Sequence, residues 1–313
     1  MAYLLKKSDF NDFVEIFLAC YDVIAPVRDD IIRYKFLKKE DASRVLFNLP
    51  AYSVKDFFMP IKEKLLEFNK EKINEVKTKT RKTVFLMNRC DVNAVHRNDL
   101  IMLSDPIDPY YQEKRKAAYL IETPCIPSEK CMCIDLGLID CFDIKMIPDK
   151  DNFILDIRTE KGEELIEKVK KNNIQLKETE HKSFSPIPYI QKQIMTDNKE
   201  VWENYEKKCL SCSACTITCP TCMCFTIDGH LELDVTSGYR YREWASCQLN
   251  NFTKVAGNHV FRRDRGSRGM QRIHCKFQYF KEKFGYLRCV GCGRCISSCP
   301  VRINIFEYHG RLK

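Results

Sequence analysis

CLSCSACTITCP (Cys209–Pro220) and CVGCGRCISSCP (Cys289–Pro300) carry the same spacing, C-x2-C-x2-C-x3-C-P, twice in one chain. A cube of four irons and four sulfides offers one thiolate site at each iron corner. A tight loop with two residues between cysteines wraps three of those corners, and the fourth cysteine, before proline, reaches across to a second cube. The spacing therefore assigns Cys209, Cys212, Cys215 and Cys299 to one 4Fe–4S cluster, and Cys289, Cys292, Cys295 and Cys219 to another. Pro220 and Pro300 stop each turn from continuing as a helix and remove a backbone donor. Gly291 and Gly293 let the backbone come close, so that its N–H groups can point at sulfur. A zinc ribbon needs four ligands, not eight in two equal runs. A disulfide framework belongs to short exported chains.

Working outward, the chain has 313 residues, long enough for two cores. Eighteen cysteines without an export signal point to metal, and they are unevenly spread: six precede residue 200 and twelve lie from Cys209 to Cys299. MAYLLKKSDF has no signal-peptide pattern, and no run reaches the ~18 apolar residues of a membrane span. The expectation is a cytoplasmic protein with no membrane partner. The net charge of +9 is concentrated at Lys70–Lys82 and Arg262–Arg272. The first run reads as a solvated face. The second lies between the cysteine runs, where arginines could offset cluster charge or dock an acidic partner. Neither run has the interleaved aromatics of a nucleic-acid site, so no nucleic-acid partner is expected.

Along the chain, Ser8–Cys20 reads as an amphipathic helix with Phe10, Phe13, Val14, Phe17 and Leu18 on one stripe and Cys20 as a small core hydrophobe. Ala42–Phe47 reads as strand-like, and Val54–Asn69 as a loop followed by a helix from Pro60. Thr83–Met87 and Ala117–Ile121 are short apolar strands separated by helical spacing over Asp91–Leu103. Such a crossover makes two parallel strands whose carboxyl ends share an edge. Cys90 and Cys125 then fall just past that edge, with Cys131 and Cys133 following. These four thiols could hold a third cluster or a zinc ion, or simply be scattered and buried. Asn152–Ile157 reads as a strand and Lys161–Asn172 as a charged surface helix. Ser183–Asp197 reads as a linker. The fold class expected is a mixed α+β or α/β domain at 1–195, followed by a ferredoxin-like dicluster domain at 196–313. A long insertion, Thr221–Arg288, separates its two runs. Cys222, Cys224 and Cys247 are surplus to eight-ligand counting and read as structural or shielding thiols, and Cys275 as a bystander. Neither a dinucleotide fingerprint nor a P-loop is present.

NRCDVNAVHRND (Asn88–Asp99), DPYYQEKR (Asp108–Arg115), EKCMC (Glu129–Cys133), CPTCMCF, REWASC (Arg242–Cys247) and VAGNHVFR occur in order around the two runs. In these blocks, from about Phe57 onward, the chain resembles the iron–sulfur electron-transfer subunits of anaerobic sulfite reductases and the related beta subunits of cytoplasmic sulfhydrogenases. The resemblance implies a third 4Fe–4S cluster at Cys90, Cys125, Cys131 and Cys133. It also implies an electron conduit in a hetero-oligomer, between a flavin-containing reductase subunit that oxidises a nicotinamide and a sirohaem sulfite reductase subunit. The alternative is a sulfhydrogenase beta subunit, and a second one is an iron–sulfur regulatory protein on nucleic acid. No catalytic residue of the chain's own is expected.

Overall fold

A computed structural model describes residues 1–77, 80–172, 174–179 and 198–308; the linker expected at Ser183–Asp197 lies outside the described residues. The chain begins with strand β1 (Ala2–Lys6), helix α1 (Phe10–Cys20), and strands β2 (Asp22–Arg28) and β3 (Ile32–Phe36). A short helix α2 (Lys55–Phe58) leads to β4 (Lys62–Phe68) and β5 (Ile73–Glu75). Next come β6 (Thr83–Asn88), α3 (Arg89–Met102), α4 (Pro109–Ala117), β7 (Ala118–Thr123), β8 (Ile144–Asp149), β9 (Asn152–Ile157), α5 (Glu160–Lys171) and β10 (Lys177–Thr179).

Among the described residues eight strands form one mixed sheet in the order β10-β1-β9-β8-β7-β6-β2-β3. Its middle is parallel: β6 runs beside β7 from Thr83↔Ala118 to Asn88↔Thr123, and beside β2 on the other side. Side chains alternate between faces with period two. Val84, Leu86, Tyr119 and Ile121 pack with Phe13 and Phe17 of α1 and Leu165 of α5. Phe85, Met87, Ala118 and Leu120 pack with Val92 of α3 and Tyr111 of α4. Helices thus cover both faces, and the carboxyl ends of β6 and β7 share one edge. Cys90 and Cys125 lie two residues past those ends.

The carboxyl-terminal part contains α6 (Lys199–Lys208), α7 (Ala214–Ile217), the hairpin β11 (Phe225–Leu231) and β12 (Gly238–Trp244), α8 (Arg265–His274), α9 (Phe280–Phe284) and α10 (Arg294–Ser297). Cys275–Tyr279 joins α8 to α9 as a wider π turn. Trp202 and Tyr205 of α6 are buried with Ile273, Phe277, Ile296 and Ile305 in a further apolar core. No helix among the described residues is long and apolar enough to cross a membrane.

Three local expectations are corrected. Ala42–Phe47 is not a strand: Lys39–Arg44 is a 3-10 turn, held where buried Asp41 accepts from the Lys38 N–H at 3.1 Å and from Arg44 at 2.8 Å. Pro60 starts no helix, because Lys62–Phe68 is recruited as a strand beside β12. Its helix-compatible composition loses to pairing and to one buried charge, Glu63, which meets Arg242 at 2.6 Å and also Lys114. Cys20 is exposed at the end of α1 and outside the core.

Helix α3 seats the first part of the chain on the second. Asp91 is fully buried and receives two bonds from Arg294, at 2.8 and 2.6 Å. Arg294 also donates to the Pro50 carbonyl at 2.8 Å, and Tyr34 donates to Asp91 at 2.8 Å. Further along, Arg97 donates to the Leu287 carbonyl at 3.2 Å and Asn98 to the Pro220 carbonyl at 3.0 Å. Replacing Arg294 with Met strands a buried carboxylate, so a loss of about 3–5 kcal/mol is expected. An Asp91→Leu/Arg294→Met double variant should recover most of it. Anaerobic unfolding of the three variants checks this: the double variant melts above both singles.

His96 lies on the same helix, against the edge of Tyr286 with ring centroids 5.4 Å apart. Burial first, then the charges of Arg97 and Arg115, lowers its pKa to about 4. The unfolded chain binds a proton there near about 6.5. Between those values only the unfolded state is protonated, so stability falls as pH is lowered through the window. His96→Gln should flatten that part of the melting-temperature profile, measured from pH 7.5 to 5.

Candidate functional site

The two cysteine runs share a backbone conformation as well as a spacing. In the first, Ser211 and Ser213 have φ of 54° and 67°; in the second, Gly291 and Gly293 have φ of 65° and 71°. These left-handed residues flank the second cysteine of each run, and a short helix follows, α7 or α10. The turns aim backbone donors at sulfur: Ser211 N–H at Cys209 (3.4 Å), Gly291 N–H at Cys289 (3.5 Å) and Ile303 N–H at Cys299 (3.3 Å).

Two clefts result. Cys209, Cys212, Cys215 and Cys299 line one of about 440 Å³, part of it open to solvent, with Tyr205 and Gln248 on its wall. Cys219, Cys289 and Cys292 line another of about 350 Å³, beside Thr221 and Lys276. Cys295 and Arg272 border both. Each cleft thus receives one cysteine from the opposite run, Cys299 or Cys219. All eighteen thiols are free. Among the described residues no three His, Cys, Asp or Glu side chains are arranged to hold a single metal ion. Sulfurs that ring a space suit a multi-iron cube better than a zinc ion, whose four ligands converge on one centre.

Electrostatics fit an anionic guest. Burial pushes the Cys289 thiol up to about 11 and the Cys292 thiol up to about 12. Metal ligation deprotonates such thiols outright. Arg272 and Lys276 are each 2 % exposed, and among the described residues neither is paired with a carboxylate. Arg272 donates to the Cys215 carbonyl at 2.9 Å, and its Nε has no partner. Lys276 donates to the Thr221 hydroxyl at 2.7 Å. Burial works against the Arg272 charge, and the Cys215, Cys222, Cys295 and Cys219 sulfurs, in that order, hold it in place. Of the two, only Arg272 lies in a basic run that the sequence singles out; Lys276 carries no sequence signal. Arg294, inside the second run, commits its guanidinium to Asp91.

The fold also gathers Cys90, Cys125, Cys131 and Cys133 at the carboxyl edge of β6 and β7. Cys90 is buried with Ala94, Leu138, Val290 and Cys292, and Cys133 packs against that group. Cys131 donates to the Cys292 carbonyl at 3.6 Å and accepts from the Ser128 N–H at 3.3 Å. Cys125 is the exposed member. This loop lies directly on the second run: the Met132 N–H bonds to the Gly291 carbonyl at 2.7 Å. A Cβ at Gly291 would meet Cys133 N at 2.5 Å, and one at Gly293 would meet the Lys130 carbonyl oxygen at 2.5 Å. Glycine is required there both by φ and by this contact, whereas the first run tolerates serine.

The ordered blocks outside the runs have structural tasks. Asp108 caps α4 by accepting from the Tyr111 N–H at 2.8 Å, and it also receives Arg242. Asp99 accepts from Tyr111 and Arg115, each at 2.8 Å.

Residues 208–303 match the family model described as a 4Fe-4S dicluster domain. Over 326 aligned residues, 97% of this chain and 96% of the relative, the chain is 30% identical to sulfhydrogenase 2 subunit beta of Pyrococcus furiosus. No solved structure matches it. The chain is therefore an iron–sulfur protein that carries 4Fe–4S clusters in its carboxyl-terminal part.

Gly291→Ala is expected to push the Lys130–Cys133 loop off the second run and to release at least about four irons, one cube. Ser211→Ala, at the matching position of the first run, should leave the iron content unchanged. Iron and acid-labile sulfide analysis of both variants checks this; equal iron in the two would contradict the packing of that loop on the second run.

Proposed function

Because the chain belongs to the family of sulfhydrogenase beta subunits, we propose that it is the electron-transfer component of a cytoplasmic sulfhydrogenase-type hetero-oligomer. It would connect a flavin-containing subunit that handles a nicotinamide to a nickel–iron catalytic subunit. The observation that carries this reading is similarity along the whole chain, including the blocks outside the cysteine runs. Cys209, Cys212, Cys215 and Cys299 hold one cluster, and Cys289, Cys292, Cys295 and Cys219 a second. Cys90, Cys125, Cys131 and Cys133 hold a third, against the second run. The apolar core around α1 and α5, drawn wholly from residues before 195, supports a first domain at 1–195, while the core of 196–313 also takes in Leu136 from that first part.

When bound, such clusters take up and return single electrons without exchanging ligands. The chain's own residues do the rest. Backbone N–H groups at Ser211, Gly291 and Ile303 support sulfur charge. Arg272, bordering both clefts, lowers the cost of negative charge in each. The Met132–Gly291 contact supports a third site beside the second.

A second reading is the iron–sulfur component of an anaerobic sulfite reductase, delivering electrons to a sirohaem subunit. It is favoured by the resemblance of REWASC at Arg242–Cys247 to that branch. Anaerobic affinity purification of the tagged chain from its own cells separates the two. Nickel in the eluate is the expected result; sirohaem absorbance without nickel would favour the second reading, and a chain that elutes alone would contradict both.

A further inference from the structure

Four cysteines of the carboxyl-terminal part remain outside the three sets: Cys222, Cys224, Cys247 and Cys275. The hairpin and the π turn bring them together. Cys224 immediately precedes β11, and its carbonyl accepts from the Ala245 N–H at 2.9 Å just beyond β12. Cys224 and Cys247 are therefore at the same end of the hairpin, where each thiol acts on the other's ionisation. Cys222 is buried, three residues past Cys219. Cys275 opens the π turn, a helix irregularity that often marks functional positions. One side chain ties the pieces together: Arg288 donates to Cys275 at 3.1 Å through its guanidinium and to the Thr221 carbonyl at 2.8 Å through Nε. Arg272 reaches Cys222 at 3.8 Å.

The surrounding charge is the second, independent observation. Lys55 is 4 % exposed; its ammonium lies 3.7 Å from the centre of the Trp244 ring and donates to the Thr216 and Ile217 carbonyls, each at 3.2 Å. Lys55, Arg272, Lys276 and Arg288 converge on these thiols, and among the described residues none of the four pairs with a carboxylate. Buried cations are costly unless an anion faces them. Arg272 and Lys276 border the two ferredoxin-type clefts, but Lys55 and Arg288 do not line either one. The sulfurs acting on Lys55 are those of Cys222, Cys219 and Cys224, with Asp56 beside it in sequence, and half-buried Arg288 meets Cys275; thiols supply charge only when ionised.

We propose that Cys222, Cys224, Cys247 and Cys275 hold a further 4Fe–4S cluster, next to the Cys219 edge of the second ferredoxin-type site. A cube with four thiolates is net negative and supplies counter-charge to Lys55 and Arg288. Soft thiolates select iron–sulfur chemistry over the harder divalent ions. The shielding role that the sequence suggests for these thiols gives way to a ligand role. The inference rests on the same reading of the chain as a cluster carrier, but not on the third site.

The test is anaerobic iron and sulfide analysis of the full chain, unaltered and as two double variants, Cys224→Ser/Cys247→Ser and Cys125→Ser/Cys131→Ser. About sixteen irons are expected in the unaltered chain, four for each of four cubes, with about four lost in each double variant. Unchanged iron in the Cys224/Cys247 variant, or no more than about eight in the unaltered chain, overturns the proposal. The second criterion holds even if that variant fails to fold. Loss of iron from the Cys224/Cys247 variant alone would instead remove the amino-terminal site and leave this one standing.

Discussion

The pairing of Asp91 with Arg294 is the contact on which the arrangement depends. A fully buried carboxylate on the first turn of α3 meets a guanidinium on the first residue of α10, inside the second cysteine run. Neither charge is tolerable alone in that place, so the two parts of the chain are held in one register. That register sets the Lys130–Cys133 loop against Gly291 and Gly293 and puts Cys90 beside Cys292. An ion pair that replaces a looser apolar contact is a device for specificity more than for stability. Here it fixes the relative position of two thiol groups that come from opposite ends of the sequence.

A second constraint is charge. The interior around the runs holds more buried positive charge than its carboxylates can answer, and the thiols are the groups that face it. Desolvation raises the Cys289 and Cys295 thiols, while Arg272 favours their ionised form. A metal-free interior of this composition is electrostatically incomplete. Iron–sulfur ligation resolves it by converting neutral thiols into an anionic unit of fixed geometry.

The spacing of the two runs is readable without any structure, because eight ligands in two equal loops admit few other chemistries. The strand–helix–strand unit is readable too, since Thr83–Met87 and Ala117–Ile121 are short and apolar, and it places Cys90 and Cys125 at one sheet edge. Lys62–Phe68 is not readable: its residues suit a helix, and only β12, from far along the chain, makes it a strand. The same remoteness hides the meeting of Cys224, Cys247 and Cys275, which requires the hairpin register and the π turn. Lys55 gives no signal because a single buried cation looks, in sequence, like any surface lysine.

The polypeptide is, on these grounds, a scaffold that encloses iron in rings of sulfur. Crystals of the anaerobically prepared chain, measured at the iron absorption edge, test that claim most directly. Separate anomalous peaks are predicted inside the Cys209/Cys212/Cys215/Cys299 ring and the Cys219/Cys289/Cys292/Cys295 ring, with another at the β6–β7 edge. Absence of iron from both ferredoxin-type rings, or a signal there only at the zinc edge, would contradict it.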